Sequence, residues 1–232
     1  MKKVGFIIFV TALAAGVIFA NIFSFGKTTA KFFNVSINSG VSGSGNIVSE
    51  KREITDFQAI NVGGVFQVEV TAQKDFSVEI EADDNLLPLI KTKVSGGVLE
   101  LSTEKRISAK NPIIVRISAP SIENLEVSGA SKVSLADLNN ENLQIEANGA
   151  SKVTAQGKTA NLILDVSGAS KIEAENLLSE NASVDASGAS TAKVYTTNEL
   201  KTDACGASSI IYSGSPKNIT KKTSGASSVK EK

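Results

Sequence analysis

Apolar and polar residues alternate at period two through most of the chain after Asn46. Val65-Phe66-Gln67-Val68-Glu69-Val70 alternates once past the Gly63-Gly64 turn. So do Phe76-Ser77-Val78-Glu79-Ile80-Glu81, Val98-Leu99-Glu100-Leu101 and Ile113-Ile114-Val115-Arg116-Ile117. This period gives a strand one buried and one wet face. Asp83-Asp84-Asn85, Ser95-Gly96-Gly97 and Asn111-Pro112 punctuate the runs as turns. Leu86-Leu87-Pro88-Leu89-Ile90 predicts one helical turn that Pro88 keeps short. No stretch has the 3.6 period of a long amphipathic helix. Residues 46–120 are therefore expected to be β-rich but irregular in spacing.

From residue 121 the pattern repeats. Gly-Ala-Ser starts at Gly129, Gly149, Gly168, Gly188, Gly206 and Gly225, at intervals of 20, 19, 20, 18 and 19 residues. Aligned on the glycine, the even positions before it are apolar: Val127, Ala147, Val166, Ala186 and Ala204 two before, and Leu125, Ile145, Leu164 and Val184 four before. Val133, Val153, Ile172, Ala192, Ile210 and Val229 stand four after. Each unit thus predicts two or three short strands, with a bend at the glycine, where positive φ costs little. One unit buries too little to offset about 1–2 kcal/mol of backbone ordering per residue. Stacked units cover one another. The expected fold is all-β: a parallel β-helix or β-solenoid, right-handed by the usual hand of parallel crossovers. Six coils at ~4.8 Å per rung make a segment of roughly 29 Å. Lys221, Lys222 and Lys230-Glu231-Lys232 break the pattern in the last unit and suit a polar cap.

The first 26 residues are a separate segment. Lys2 and Lys3 precede an uncharged run from Val4 to Gly26. It fits a cleaved export signal, with small residues near Ala14, Ala15 and Ala20, or a retained membrane anchor. Either way the remainder is expected to be exported, to the periplasm, cell envelope or cell surface. Residues 27–45 end in Ser39-Gly40-Val41-Ser42-Gly43-Ser44-Gly45 and are expected to form a Gly/Ser linker.

Composition narrows the chemistry. Lys plus Arg equals Asp plus Glu at 24 each, so no basic face for nucleic acid is indicated. The chain has no histidine and one cysteine, Cys205, which removes the commonest general base and any internal disulfide. The repeat sets its remaining polar residues in columns. Glu126, Glu146, Asp165, Asp185 and Asp203 stand three before the glycine, and Lys132, Lys152 and Lys171 three after. A row of carboxylates is a candidate for bridging calcium, a hard cation that takes oxygen ligands. A glycosidase pair is the other chemical reading, but equal copies argue against one tuned pair. A solvated outer face, with the lysines balancing the acids, needs no chemistry at all. The serines at 131, 151, 170, 190, 208 and 227 lack a histidine base and suit backbone hydrogen bonding at the bend.

Gly43-Ser44-Gly45-Asn46-Ile47-Val48, Phe57 to Val70 and Glu81-Ala82-Asp83-Asp84-Asn85-Leu86-Leu87 resemble the opening of the head GIN domain family, also called putative auto-transporter adhesins. Ile122-Glu123-Asn124-Leu125-Glu126-Val127-Ser128-Gly129-Ala130-Ser131 resembles the same family's repeat motif. The resemblance covers about Gly45 to Val229. It implies an exported bacterial protein with a parallel β-helical fold and room for self-association. It supplies no catalytic residues and no cofactor. The resulting expectation is a non-enzymatic, adhesin-like envelope or surface module that binds a protein or glycan through its β-helix faces. No nucleic acid is expected as partner, and membrane contact only through an uncleaved N-terminal segment. Two alternatives remain open. One is a carbohydrate-active β-helix enzyme, with Asp83, Asp84, Lys105 and Arg106 as its non-repeated candidates; the other is a membrane-tethered sensor or scaffold.

Overall fold

Alternating side chains need a second layer to cover them, and the chain supplies it by winding back over itself. The computed structural model describes Gly40–Lys232, one unit; the N-terminal export or anchor segment lies outside the described residues. Among the described residues there are seventeen strands. The entry half holds β1 (Val41–Ser42), β2 (Ile47–Arg52), β3 (Ala59–Gly64), β4 (Gln67–Thr71), β5 (Ser77–Asp83), β6 (Ile90–Ser95), β7 (Val98–Thr103), β8 (Ile107–Ser108) and β9 (Ile114–Ser118). The repeat holds β10 (Asn124–Gly129), β11 (Lys132–Ala147), β12 (Lys152–Val166), β13 (Lys171–Ala186), β14 (Thr191–Ala204), β15 (Ser209–Ser213), β16 (Asn218–Thr223) and β17 (Ser228–Glu231). A helical turn, Leu87–Leu89, sits where Pro88 predicts it.

The coils stack in parallel as a β-solenoid of about five turns. In the front layer β9, β4, the first halves of β11, β12, β13 and β14, then β15 and β17 pair in that order. In the back layer the order is β7, β3, β10, the second halves of β11 to β14, then β16. The layers belong to one fifteen-stranded sheet, because β11 to β14 each run round the second corner without a break. The sequence predicted separate short strands there; bulges, rather than turns, carry the chain across. Inward side chains of both layers form a single core, with columns such as Leu125, Ile145, Leu164 and Val184.

The Gly-Ala-Ser corner is tight for two reasons. Each of the six glycines has φ between +72° and +88°. A Cβ on any of them would also lie under 3.0 Å from the carbonyl oxygen of the equivalent glycine one coil earlier. That same carbonyl accepts the next coil's alanine N–H at 2.8–2.9 Å. The corner therefore carries its own line of rung-to-rung hydrogen bonds.

The irregular half is part of the same solenoid. Asn61, Val62, Gly63 and Gly64 pair with Glu126, Val127, Ser128 and Gly129, so Gly64-Val65-Phe66 is a corner with the serine replaced. The coil formed by β3 and β4 lies between two coils made later in the chain: β3 touches β7 and β10, and β4 touches β9 and β11. Beyond β7 and β9 the winding reverses. β5 runs antiparallel to β9, β6 to β7, and β2 to β5, which closes this end. The segment Gly43-Ser44-Gly45, expected as the end of a linker, is instead held by hydrogen bonds to residues 83–85. At the other end β16 is exposed along its whole length. Ile219, in the inward column of Leu143, Leu162, Ala182 and Leu200, is 43% exposed. Lys221 lays its Nζ 4.4 Å from the Tyr212 ring centroid and donates to the phenol oxygen at 2.8 Å, covering part of the open end.

Candidate functional site

The acidic column is a continuous row on the outside of the back layer. Glu126, Glu146, Asp165, Asp185 and Asp203 are direct neighbours on successive strands. The row continues through Asn61 and Glu100 to Lys93 at one end and meets Lys222 at the other. Asn61 Nδ2 donates to Glu126 Oε2 at 2.9 Å, and Gln144 Nε2 to Glu146 Oε1 at 2.7 Å. Partial burial, then the charges of Asp165 and Asp203, push the Asp185 carboxyl up, with Lys222 pulling the other way. One carboxylate per rung on a flat layer does not make a cage of oxygens. Among the described residues no group of three His, Cys, Asp or Glu side chains is placed to hold a metal.

The lysine column lies across the corner, on the front layer. The charges of Lys152 and Lys171 are met not by the acidic column but by Glu173. Lys152 and Lys171 each reach Glu173 at 2.6 Å, and Lys193 bridges to Glu175 at 3.3 Å. Hydrogen bonds from Lys152 and Lys171 hold the Glu173 carboxyl at about 2. Lys132 continues the column on the adjacent rung beside Lys152.

The serine column faces inward, with Ser131, Ser151, Ser170, Ser190 and Ser208 all buried. Ser131 Oγ accepts the Phe66 N–H at 3.1 Å and donates to the Gly64 carbonyl at 3.0 Å. Ser190 and Ser208 donate to the Val166 and Ala186 carbonyls at 3.1 and 3.0 Å. These hydroxyls satisfy the backbone at the bend. A second ladder runs on the outside: Asn161 donates to Asn142, Asn181 to Asn161, and Asn198 to Asn181, at 2.8–3.0 Å. Its signal was an asparagine seven residues before each of Gly149, Gly168 and Gly188.

The non-repeated candidates Asp83 and Asp84 hold the chain entry. Asp83 is buried and accepts from Asn111 Nδ2 at 3.0 Å and from the Gly45 and Lys110 backbone N–H groups. The Asn111 amide, with those N–H groups, keeps its carboxyl below the ordinary range. Asp84 binds Asn46 and Ser44, which lower it likewise. Their oxygens are committed to the Gly43–Asn46 turn.

Concave surface gathers on the side opposite the Gly-Ala-Ser corner. A shallow groove of about 740 Å³ runs along Gln73, Lys74, Asp75, Phe76, Ser118 and Pro120. A recess of about 550 Å³ opens among Asp137, Gln156, Gly157, Glu175, Asn176, Leu178 and Tyr195. Among the described residues the non-glycine positions with positive φ, Asp56, Gln73, Asp137 and Ser215, also lie on this side, in the links between layers. Here the chain varies from coil to coil, whereas the glycine corner keeps Gly-Ala-Ser at all six positions of the repeat.

Stacked parallel coils, a glycine corner and internal serine and asparagine ladders define a β-solenoid protein. The family model described as "Putative auto-transporter adhesin, head GIN domain" matches residues 56–216, well over half of the chain, and the chain belongs to that family. No curated protein matches it in sequence. Among solved structures it is similar to a putative adhesin from Bacteroides fragilis, with 21% identity and a TM-score of 0.69 over 83% of this chain and 100% of that one. It is also similar to a putative adhesin from Parabacteroides merdae, at 18% identity and a TM-score of 0.53 over 83% and 98% of the two chains. At these identities the likeness establishes the fold.

Proposed function

We propose that the chain is a non-enzymatic, exported envelope or surface module of adhesin type, which holds a protein or glycan partner on the outside of its solenoid. The observation that carries this reading is where the reactive groups are spent. The serine hydroxyls and Asp83 are turned inward onto backbone groups. Asp84 is tied to the chain entry. What differs from coil to coil is the outer surface of the second corner, a place for recognition on a rigid scaffold. Membership of an adhesin-named family and likeness to proteins named as adhesins support the same reading. Export rests on Lys2, Lys3 and the uncharged run that follows.

The test is attachment of intact cells to a glycan- or matrix-coated surface, with and without the gene, together with protease treatment of those cells. The expected result is reduced attachment on deletion, restored by the full chain, and loss of the protein to external protease. Protection from protease, or bond cleavage of a glycan panel by the purified protein that Asp84→Asn abolishes, would overturn it.

A further inference from the structure

The intervals of the repeat shape one recess. The coil of 20 residues that carries β13 lies between coils of 19 and 18. The register shows where the difference falls. Ala136 and Asp137 stand opposite Gln156 alone, and Ala174 and Glu175 opposite Ala155 alone, so β12 is one residue short of both neighbours. On the other side Glu175, Asn176 and Leu177 have no partner on β14, because Ala174 pairs with Val194 and Leu178 with the next residue, Tyr195. Leu177 points into the core and is buried, which leaves Glu175 and Asn176 as a ridge over a notch on each side.

The lining has two characters. Leu178, 45% exposed, and Tyr195 are strand neighbours and give the recess an apolar wall. Gln156, Asn176, Asp137 and Glu175 give it a polar one. The two amides both donate and accept, and the two carboxylates accept. Glu175 is neutralised by Lys193 at 3.3 Å and Lys232 at 3.6 Å. Its Oε2, the oxygen that faces Lys193, is shielded from solvent. A strongly charged ligand gains little here. A ring with an apolar C–H face and an edge of hydroxyls that donate and accept matches both walls. The volume, about 550 Å³, lies in the range of small-ligand sites. A second recess of about 290 Å³ shares Gln156, Glu175 and Asn176 and extends onto the front layer, space for a neighbouring ring.

We propose that this notch is a subsite for a neutral pyranose of a glycan chain, with Tyr195 and Leu178 under the ring face and Gln156 and Asn176 on its hydroxyls. The proposal rests on the binding-module reading above and names the partner class and the place. Isotopically labelled full-length protein is titrated with cellotetraose, chitotetraose, mannotetraose and a β-galactotetraose, following backbone amide shifts. At least one sugar is expected to shift the amides of Gln156, Gly157, Asn176, Leu178 and Tyr195 together, saturating in the millimolar range. Tyr195→Ala and Asn176→Ala are expected to weaken that binding about tenfold or more with the fold unchanged by circular dichroism, and Tyr195→Phe to retain it. No shift at these amides with any of the four sugars, shifts confined to another surface, or full affinity in Tyr195→Ala would overturn the proposal. The same variants in the attachment assay separate the two readings. Deletion-dependent attachment together with full sugar affinity in Tyr195→Ala sinks the subsite alone, while protection of the protein from external protease sinks the module itself.

Discussion

Gly168 shows how much one residue decides. Its φ of +72° and the Gly149 carbonyl facing it leave no place for a methyl group. Gly168→Ala is expected to cost about 1–3 kcal/mol, read as a lower urea midpoint, because both the backbone region and the rung contact resist the change. Charge acts at the same scale with two signs. Glu173 titrates in the folded protein at about 2, below its ordinary 4.5, so its stabilising contribution is complete above pH 4.5 and is lost as pH falls toward 2. Unfolding followed across that window should fall less steeply in Glu173→Gln than in the parent. Asp185 is the opposite case: its carboxyl is raised, so acidification through its pKa favours the fold and neutral pH works against it. Asp185→Asn is expected to stabilise the protein at neutral pH by a few tenths of a kcal/mol. That gain should shrink in high salt and at low pH, measured by thermal unfolding.

Within a coil, the repeat made the glycine corner and the inward columns legible. Period two names the buried face, and glycine every 18 to 20 residues names the bend. The role of the serines was legible too, since no base was available to them. The asparagine ladder is regular in spacing too, but asparagine at an exposed strand position does not by its type point to a side-chain ladder. The coil at β3 and β4 was hidden for a physical reason. Phe66 replaces the corner serine and so breaks the Gly-Ala-Ser pattern, while its backbone N–H still finds Ser131 Oγ of the following coil, as the Ser151 N–H finds Ser170 Oγ. The notch was not legible either: the intervals record the length differences, but not where in the coil they are taken up. Ser170→Ala offers a test at this level. Ser170 Oγ accepts the buried Ser151 N–H at 3.2 Å and meets Ser151 Oγ at the same distance. Removing it leaves a buried donor unpaired, and the expected loss is about 1–3 kcal/mol by chemical denaturation.

At the scale of the molecule the two ends behave differently. The entry end is closed by reversed strands, whereas β16 and β17 present unpaired edges guarded by Lys217, Lys221, Lys222 and Lys230. Charged side chains on an edge block strand addition. Lys221→Ala with Lys222→Ala uncovers the Tyr212 ring and removes two of the guards. The doubly substituted protein is expected to self-associate in sedimentation at concentrations where the parent does not. The interleaved entry coil bears on time rather than space. β3 and β4 are synthesised early but sit between β7 and β9 on one side and β10 and β11 on the other. As the polypeptide leaves the ribosome, this coil stays open on one side until residues up to Ser118 have emerged and on the other until residues up to Ala136 have. Assembly therefore cannot proceed stepwise from the leading end. It must start around a coil whose neighbours arrive from opposite directions, and the later repeats then add in the order in which they are made.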